Sequence, residues 1–533
     1  MIVAATLGRL VYIAGGAIEM SKDEAYQWLW SKHLALSYYS KPPLIAGAQW
    51  LGTSIGGDTA FGVRFLSPLI GAAMALLLLR WMARLAGGRT AFWLLLVLSV
   101  TPLLAAGTML LTIDSLLVMF WTVAMVLGWR AVQEDATIWH WLGVGLAMGL
   151  AFLSKYSALY QVVCWGLFFA LWAPARAQLR RPGPWLALMV VLLSMTPVLA
   201  WNVQNHWVTL SHVSDNAGLG ERWKPSLHHL LDFTGAELVL LNPVFLVAAL
   251  WAMVRFWKLK PEGTPSPGSA SACSRRGLMV YLFCMGAPVF IGHWIYTLHS
   301  QVQPNWIAPA AVPLLCLMTL YWERRWREGA RGVVGWLRAG LILGVVAMVL
   351  LLGPGLVEKV IGKPLPPDKD PLRRIRAWKA TTGMVSAARA RLLAEGKPVF
   401  IVAHHYGLTG LLSFYLPEAR PVAGREPLVY SILGPIPENQ FFFWPEYRYQ
   451  QARKGQNALY VAEADLPRYP LAAWFRSVLT GKSGPLPAKP APTEYLQPLA
   501  LEFESIKDLG VFPILDRGGI YRWVQLVECR NLR

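Results

Sequence analysis

Several charged residues sit at the ends of apolar runs, where they could do chemistry at a membrane surface. Asp23 and Glu24 are adjacent in Ser21-Lys22-Asp23-Glu24-Ala25-Tyr26, and paired carboxylates can supply a general base. The same stretch fits a capping box from Ser21 to Glu24, with Asp23 favoured by the helix dipole. The residues alone leave both readings open. Lys41 follows Tyr38-Tyr39-Ser40 and precedes Pro42-Pro43. An ammonium held before a rigid turn suits a phosphate, and it equally suits a snorkelling interfacial lysine. Asp114 stands just inside an apolar run in Leu111-Thr112-Ile113-Asp114-Ser115. A carboxylate there is costly unless it faces protein or water, although Thr112 and Asp114 also fit a helix cap and a first-turn acid. Arg64 opens one apolar run and Lys155 closes another, in Leu153-Ser154-Lys155-Tyr156. They could bind an anionic headgroup or simply snorkel.

The elements that must position these groups are membrane helices. The chain has 533 residues, of which 55% are hydrophobic and 15% charged, with 26 Trp. Its mean hydropathy is +0.41. Disorder is excluded by this apolar content, and five Cys do not make a disulfide scaffold. About eleven apolar runs (a range of about ten to thirteen) are long enough to read as spans. They lie near 2–20, 62–82, 90–107, 114–131, 138–154, 157–173, 184–201, 234–255, 278–297, 305–322 and 332–353. The stretch 42–57 reads as a further interfacial helix. The formal net charge is +19. This excess does not indicate nucleic acid, because it gathers in short loops: Arg80, Arg84 and Arg89; Arg176, Arg180 and Arg181; Lys258, Lys260, Arg275 and Arg276; Arg324, Arg325, Arg327 and Arg331. The positive-inside rule makes those loops cytoplasmic, including the Pro/Ser/Gly linker 261–276. The opposite face then holds 21–60, 108–113, 202–233, 298–304 and everything after 354.

The expected organisation is a transmembrane domain, 1–354, with an outward loop at 21–60, and a small extracytoplasmic α/β domain, 355–533. In the second, an amphipathic helix over 371–395 precedes β-rich runs at 398–402, 458–461 and 519–526. Cys164, Cys284 and Cys316 fall in spans and Cys273 in a cytoplasmic loop, leaving Cys529 outside, so no disulfide is expected within one chain. His206, His212, His228 and His229 have no metal-ligand spacing, so no obligatory metal or other cofactor is expected. His404-His405 ends a strand and reads as structural. There is no nucleotide-binding motif.

Taken in order, Asp23-Glu24-Ala25-Tyr26 with Trp28 and Trp30, Tyr39-Ser40-Lys41-Pro42-Pro43, Val63-Arg64-Phe65, Thr112-Ile113-Asp114, Leu153-Ser154-Lys155-Tyr156, Trp201-Asn202 and Pro304-Asn305-Trp306 resemble the GT-C membrane glycosyltransferases. Within that class the chain resembles the dolichyl-phosphate-mannose–protein mannosyltransferase group and its bacterial relatives, which include the lipid A aminoarabinose transferase. The tail resembles the bacterial members' extracytoplasmic domain in Phe414-Tyr415-Leu416-Pro417 and Asn439-Gln440-Phe441-Phe442-Phe443-Trp444.

The resemblance implies a catalytic set of Asp23, the usual candidate base, its neighbour Glu24, and Asp114. It implies Lys41 on the lipid phosphate, which Arg64 and Lys155 would join. Tyr26, Tyr39, Tyr156, Asn202, His206 and Asn305 are the implied substrate-positioning residues. A divalent metal is not ruled out by the resemblance, but Ser40 stands where the aminoarabinose transferase has a Glu associated with metal binding. The implied activity is transfer of a sugar from a polyprenyl-phosphate donor to a hydroxyl of lipid A, a glycan or a protein. It would take place at the outer face of the cytoplasmic membrane, with inversion, among membrane lipids and without nucleic acid. The competing readings are a lipid-linked glycan transporter and a non-catalytic membrane scaffold.

Overall fold

The computed structural model describes every residue except 219, 221, 222, 224, 260–274, 363, 364, 371, 466–477, 481–486, 493–495 and 517–518. The linker 261–276 therefore lies almost wholly outside the described residues, as do Lys260 and Cys273. The chain divides into two compact units, one formed by 1–11, 36–45 and 64–348, the other by 12–35, 46–63 and 349–533. The sequence suggests a single boundary near 354. In three dimensions most of the expected outward loop groups with the tail.

The first unit is helical, and the chain is an integral membrane protein. Every apolar run contains helix, but the helices are not alike. Among the described residues six are long and apolar enough to cross a membrane: Ala60–Ala86, Ile113–Ala131, Pro182–Gln204, Arg275–Tyr296, Pro304–Arg327 and Val333–Leu352. The number rises to 8 if each of two bent pairs is one span. Ile2–Ala14, Gly88–Val100 and Ile138–Ser154 are shorter apolar helices. Hydropathy counts all these segments equally, which is why it suggests about eleven spans; length and bending separate them.

The bends have local causes. Between Leu227–Leu240 and Pro243–Lys258 the direction changes by 107°. There Asn242 takes φ +71°. Its side chain accepts from Val244 N at 3.1 Å and donates to the Gly340 carbonyl at 2.7 Å. An Asn cap followed by proline starts a new helix in a new direction. Small residues set the tight crossings. A Cβ on Gly145 would lie 2.6 Å from the Ala187 carbonyl oxygen, and one on Gly149 would lie 2.2 Å from Ser194 Oγ. This four-residue spacing lets helix Ile138–Ser154 press against Pro182–Ser194. Trp121, Trp129, Trp141, Trp165 and Tyr281 fill the core, with the Tyr281 hydroxyl donating to the Met125 carbonyl at 2.8 Å.

The second unit is built on a five-stranded sheet of β1 (Val399–Ala403), β2 (Val429–Ser431), β3 (Asn457–Glu463), β4 (Phe503–Asp516) and β5 (Gly519–Leu532), in the order β2-β1-β3-β5-β4. β1 runs parallel to β2 and β3, while β5 runs antiparallel to β3 and β4. β1 is buried along its length, as a strand covered on both faces must be. Helix Trp378–Leu393 lies within the expected 371–395. Helix Lys22–Lys32 crosses helix Tyr406–Tyr415 at Gly410, where a Cβ would sit 2.8 Å from the Ala25 backbone. Free cysteines 164, 284, 316 and 529 are all buried.

Candidate functional site

The strongest chemical grouping lies in the membrane unit. Asp114 begins helix Ile113–Ala131, and Lys155 caps the end of helix Ile138–Ser154. Their side chains meet at 2.6 Å, 17% and 12% exposed. The other Asp114 oxygen accepts from Asn305 Nδ2 at 2.7 Å, and Lys155 lies 5.9 Å from the Trp306 ring. Asp114 thus has a cation on one oxygen and an amide on the other. The cap expected from Thr112 does not form a side-chain hydrogen bond. The cost of placing the carboxylate at a span entry is offset by its two partners.

The lysine loop is tied to the same place. Tyr156, next to Lys155, has its hydroxyl 3.3 Å from Ser37 Oγ. Thr209 Oγ1 donates to the Tyr38 carbonyl at 3.5 Å, and Tyr38 N donates to the Lys41 carbonyl at 3.2 Å. Tyr39 is buried with its ring 4.5 Å from that of His212. Burial holds His212 below the usual histidine range, and the positive charge of Lys41 lowers it further. Lys41 is half-buried and Arg64 is fully buried.

Asn202 is buried in helix Thr196–Gln204, where its Nδ2 donates to the Val198 carbonyl at 3.0 Å and its Oδ1 has no hydrogen-bond partner among the described residues. His206 is exposed at φ +55° beside Trp207 at φ +58°. Two non-glycine residues in the left-handed region are strained, and they turn the chain into helix Val208–Asn216, which carries Thr209 and His212.

In the second unit Asp23 and Glu24 separate in role. Glu24 is buried and closes the capping box: its Oε2 accepts from Ser21 N at 3.0 Å, and Ser21 Oγ accepts from Glu24 N at 3.1 Å. Its carboxylate serves the helix end, whereas Asp23 is exposed. Tyr406 is the neighbour that sequence reasoning missed. Burial first, and then the Asp23 charge, push its hydroxyl up to about 12. Tyr26 is a core residue of this unit: its hydroxyl accepts from Gln440 N at 2.6 Å and its ring packs on Tyr406 at 4.5 Å. Lys22 pairs with Glu463, which also takes Arg522 at 2.9 Å. Burial would raise that carboxyl, but Lys22 and Arg522 together hold it below its ordinary range. The histidine pair is structural in its contacts: His405 Nδ1 accepts from Gly407 N at the start of a helix, and His404 Nδ1 lies 3.0 Å from the Tyr460 hydroxyl. Among the described residues no group of three or more His, Cys, Asp or Glu could hold a metal ion.

The chain is similar to known proteins in sequence and in fold. Residues 40–201 match the family described as dolichyl-phosphate-mannose-protein mannosyltransferase. The chain is 30% identical over 329 residues to the lipid A galacturonosyltransferase RgtD of Rhizobium johnstonii, covering 61% of this chain and 65% of that one. It is 25% identical over 356 residues to undecaprenyl phosphate-alpha-4-amino-4-deoxy-L-arabinose arabinosyl transferase 2 of Proteus mirabilis, covering 63% and 59%. The chain therefore spans less than two thirds of the length of these relatives. In fold it is similar to the crystal structure of ArnT from Cupriavidus metallidurans bound to undecaprenyl phosphate, with TM-score 0.56 and 14% identity over 98% of this chain and 97% of that one. The resemblance to GT-C membrane glycosyltransferases read from the short motifs recurs in family, in relatives and in fold.

Proposed function

We propose that this relative of the GT-C membrane glycosyltransferases is itself a transferase, moving a sugar from a polyprenyl-phosphate donor to a hydroxyl of an envelope acceptor of the lipid A type. The observation that carries the reading is the tethering of the Lys41 loop, through Ser37 and Tyr156, to the Asp114–Lys155–Asn305 cluster. Lipid phosphate recognition needs a cation on a loop held in place, and Lys41 stands on a loop held by Tyr38 N on its carbonyl and by Thr209 on the Tyr38 carbonyl. Lys155 is matched by Asp114, so its part is to set the geometry of the phosphate site, with Arg64 as the second cation. The relatives' names, a lipid A galacturonosyltransferase and an undecaprenyl-phosphate-aminoarabinose transferase, support the donor and acceptor classes.

In the reaction the acceptor oxygen attacks the anomeric carbon. The bond from that carbon to the phosphate oxygen breaks, its electron pair goes to the phosphate, and the hydroxyl proton passes to a carboxylate. Asp23 takes that role as the exposed acid of its pair. Fixed cations stabilise the departing phosphate most where water is excluded. A single displacement inverts the anomeric centre. The loop charges support an extracytoplasmic reaction face, and on this reading the protein lies in the inner membrane with its tail in the periplasm of a Gram-negative host. No metal enters the scheme.

The test is release of undecaprenyl phosphate from sugar-linked donors by the purified full chain. Lys41→Ala should raise the donor KM about tenfold or more, whereas Lys22→Ala, whose partner is Glu463, should not. Equal effects would remove the phosphate role. Movement of intact donor across liposomes without release would favour a transporter. Mass spectrometry of envelope lipids from cells with and without the protein then identifies the sugar and the acceptor together.

A further inference from the structure

The membrane unit carries a second feature unrelated to the Asp114 cluster. A cavity of about 880 Å³ opens between helices Gly88–Val100, Pro243–Arg255, Ala308–Arg327 and Val333–Leu352. Its volume is that of a pocket for a sizeable organic ligand. The lining is almost entirely apolar, and Trp93, Trp251, Trp322, Trp326 and Trp336 contribute to it. Tryptophan gathers where hydrocarbon meets headgroup.

The cavity has a charged end. Glu323 is buried there and faces three guanidiniums: Arg89 at 3.5 Å, Arg275 at 3.5 Å and Arg327. Arg89 also lies 4.1 Å over the Trp326 ring. Arg331 lines the cavity, is exposed, and has no ion-pair partner among the described residues. Among the described residues Glu323 is the carboxylate that faces this rim, against Arg89, Arg327 and Arg331, so these groups carry a positive surplus. From Arg89 to Val97, and from Trp326 to Met318, the lining runs eight residues along a helix, about 12 Å at the α-helical rise. Half of the hydrocarbon core is about 15 Å thick. The cavity is therefore about as deep as one leaflet, greasy inside and cationic at its mouth.

We propose that this cavity binds one anionic glycerophospholipid of the leaflet facing the arginine-rich loops, its phosphate on Arg89 and Arg331 and its acyl chains against the tryptophans. The loop charges place that leaflet on the cytoplasmic side. The lipid is a structural ligand of the bundle, distinct from any donor or acceptor.

Native mass spectrometry of the full chain in detergent tests this, with equal amounts of phosphatidylglycerol and phosphatidylcholine of identical chains. One phosphatidylglycerol should be retained over phosphatidylcholine by about tenfold. Arg331→Ala should abolish that preference while leaving the melting temperature in lipid-free detergent unchanged. Val334→Trp, which fills the cavity from its wall, should remove retention of both lipids. Equal retention of the two lipids would overturn the proposal, and so would a preference that survives both Arg331→Ala and Arg89→Ala. Displacement of phosphatidylglycerol by undecaprenyl phosphate at equal concentration would also overturn it, because the cavity would then belong to the donor.

Discussion

Asp114 and Glu323 are both carboxylates near the ends of membrane helices, and their surroundings differ in charge balance. Asp114 has one ammonium and one amide, at 2.6 Å and 2.7 Å. Glu323 has three guanidiniums. The first arrangement is neutral overall and shaped, fixing where Lys155, Asn305 and Trp306 point. The second is loaded with positive charge and holds arginines together that would otherwise repel. A balanced pair suits a site whose geometry must be set before the substrate arrives. An unbalanced cluster suits attraction of an anion. A third carboxylate extends the contrast: Glu237 is buried in helix Leu227–Leu240, and neither oxygen has a hydrogen-bond partner among the described residues.

The sharpest way to break this comparison is to remove each carboxylate and measure turnover. Asp114→Ala should reduce release of polyprenyl phosphate by about 10²–10³-fold, the scale of losing one preorganised electrostatic contact at a reacting centre. Glu323→Gln should leave turnover near that of the unchanged protein. If the two variants lose activity alike, the Asp114 cluster is no more catalytic than the arginine rim.

Stability gives the next largest effect. An unpaired buried carboxyl costs about 1–3 kcal/mol. Glu237→Leu should therefore raise the midpoint of thermal unfolding, with the gain read by a scan in detergent. A fall in the midpoint would mean that Glu237 has a stabilising partner, and would set it beside Asp114 instead of apart from it.

The smallest effect concerns pH. In the second unit His33 lies 3.0 Å from Glu446 and stacks on Trp444 at 4.3 Å. Burial lowers its pKa by more than Glu446 and the Ala423 backbone raise it. The unfolded chain then takes up this proton before the folded one does. The neutral ring's contribution is complete above about 6.5, the ordinary histidine value, and shrinks as pH falls from there through the lowered value. His33→Gln should flatten that slope in unfolding midpoints measured from pH 7 to pH 5. An unchanged slope would assign the acid sensitivity elsewhere.

Much of the architecture was legible in composition. Every apolar run contains helix because a span must satisfy its backbone internally. The two bends were not read, although Leu241-Asn242-Pro243 carries the Asn-Pro signal that usually breaks a helix; averaging hydropathy over a window hides it. β1, β3 and β5 lie where the β-rich runs suggested, whereas the three-residue β2 and the long β4 escaped. The sequence of β4 mixes Glu504, Lys507 and Asp508 with Gly510 and Pro513, and among the described residues it pairs with β5 alone, through irregular register near Asp508 and Leu515. An edge strand needs no apolar outer face, so alternation is weak. At the candidate site the residue types and their order were readable, and the partners were not. Tyr26 reads as a positioning residue, and its core contacts with Gln440 and Tyr406 were not readable; Glu24 reads as an acid or a cap, and the structure adds its bond to Ser21 N.

Residue order alone determined a basic, tryptophan-rich membrane chain with ionisable groups at span ends, because the costs of burying backbone and charge in hydrocarbon are local and can be read residue by residue. Only the tertiary structure decided which of those charges balance each other. Ion pairing depends on distances of a few ångströms between residues 41 positions apart, as in Asp114 and Lys155, or 191 apart, as in Asp114 and Asn305. Such distances are set by how the helices pack, which no single segment specifies.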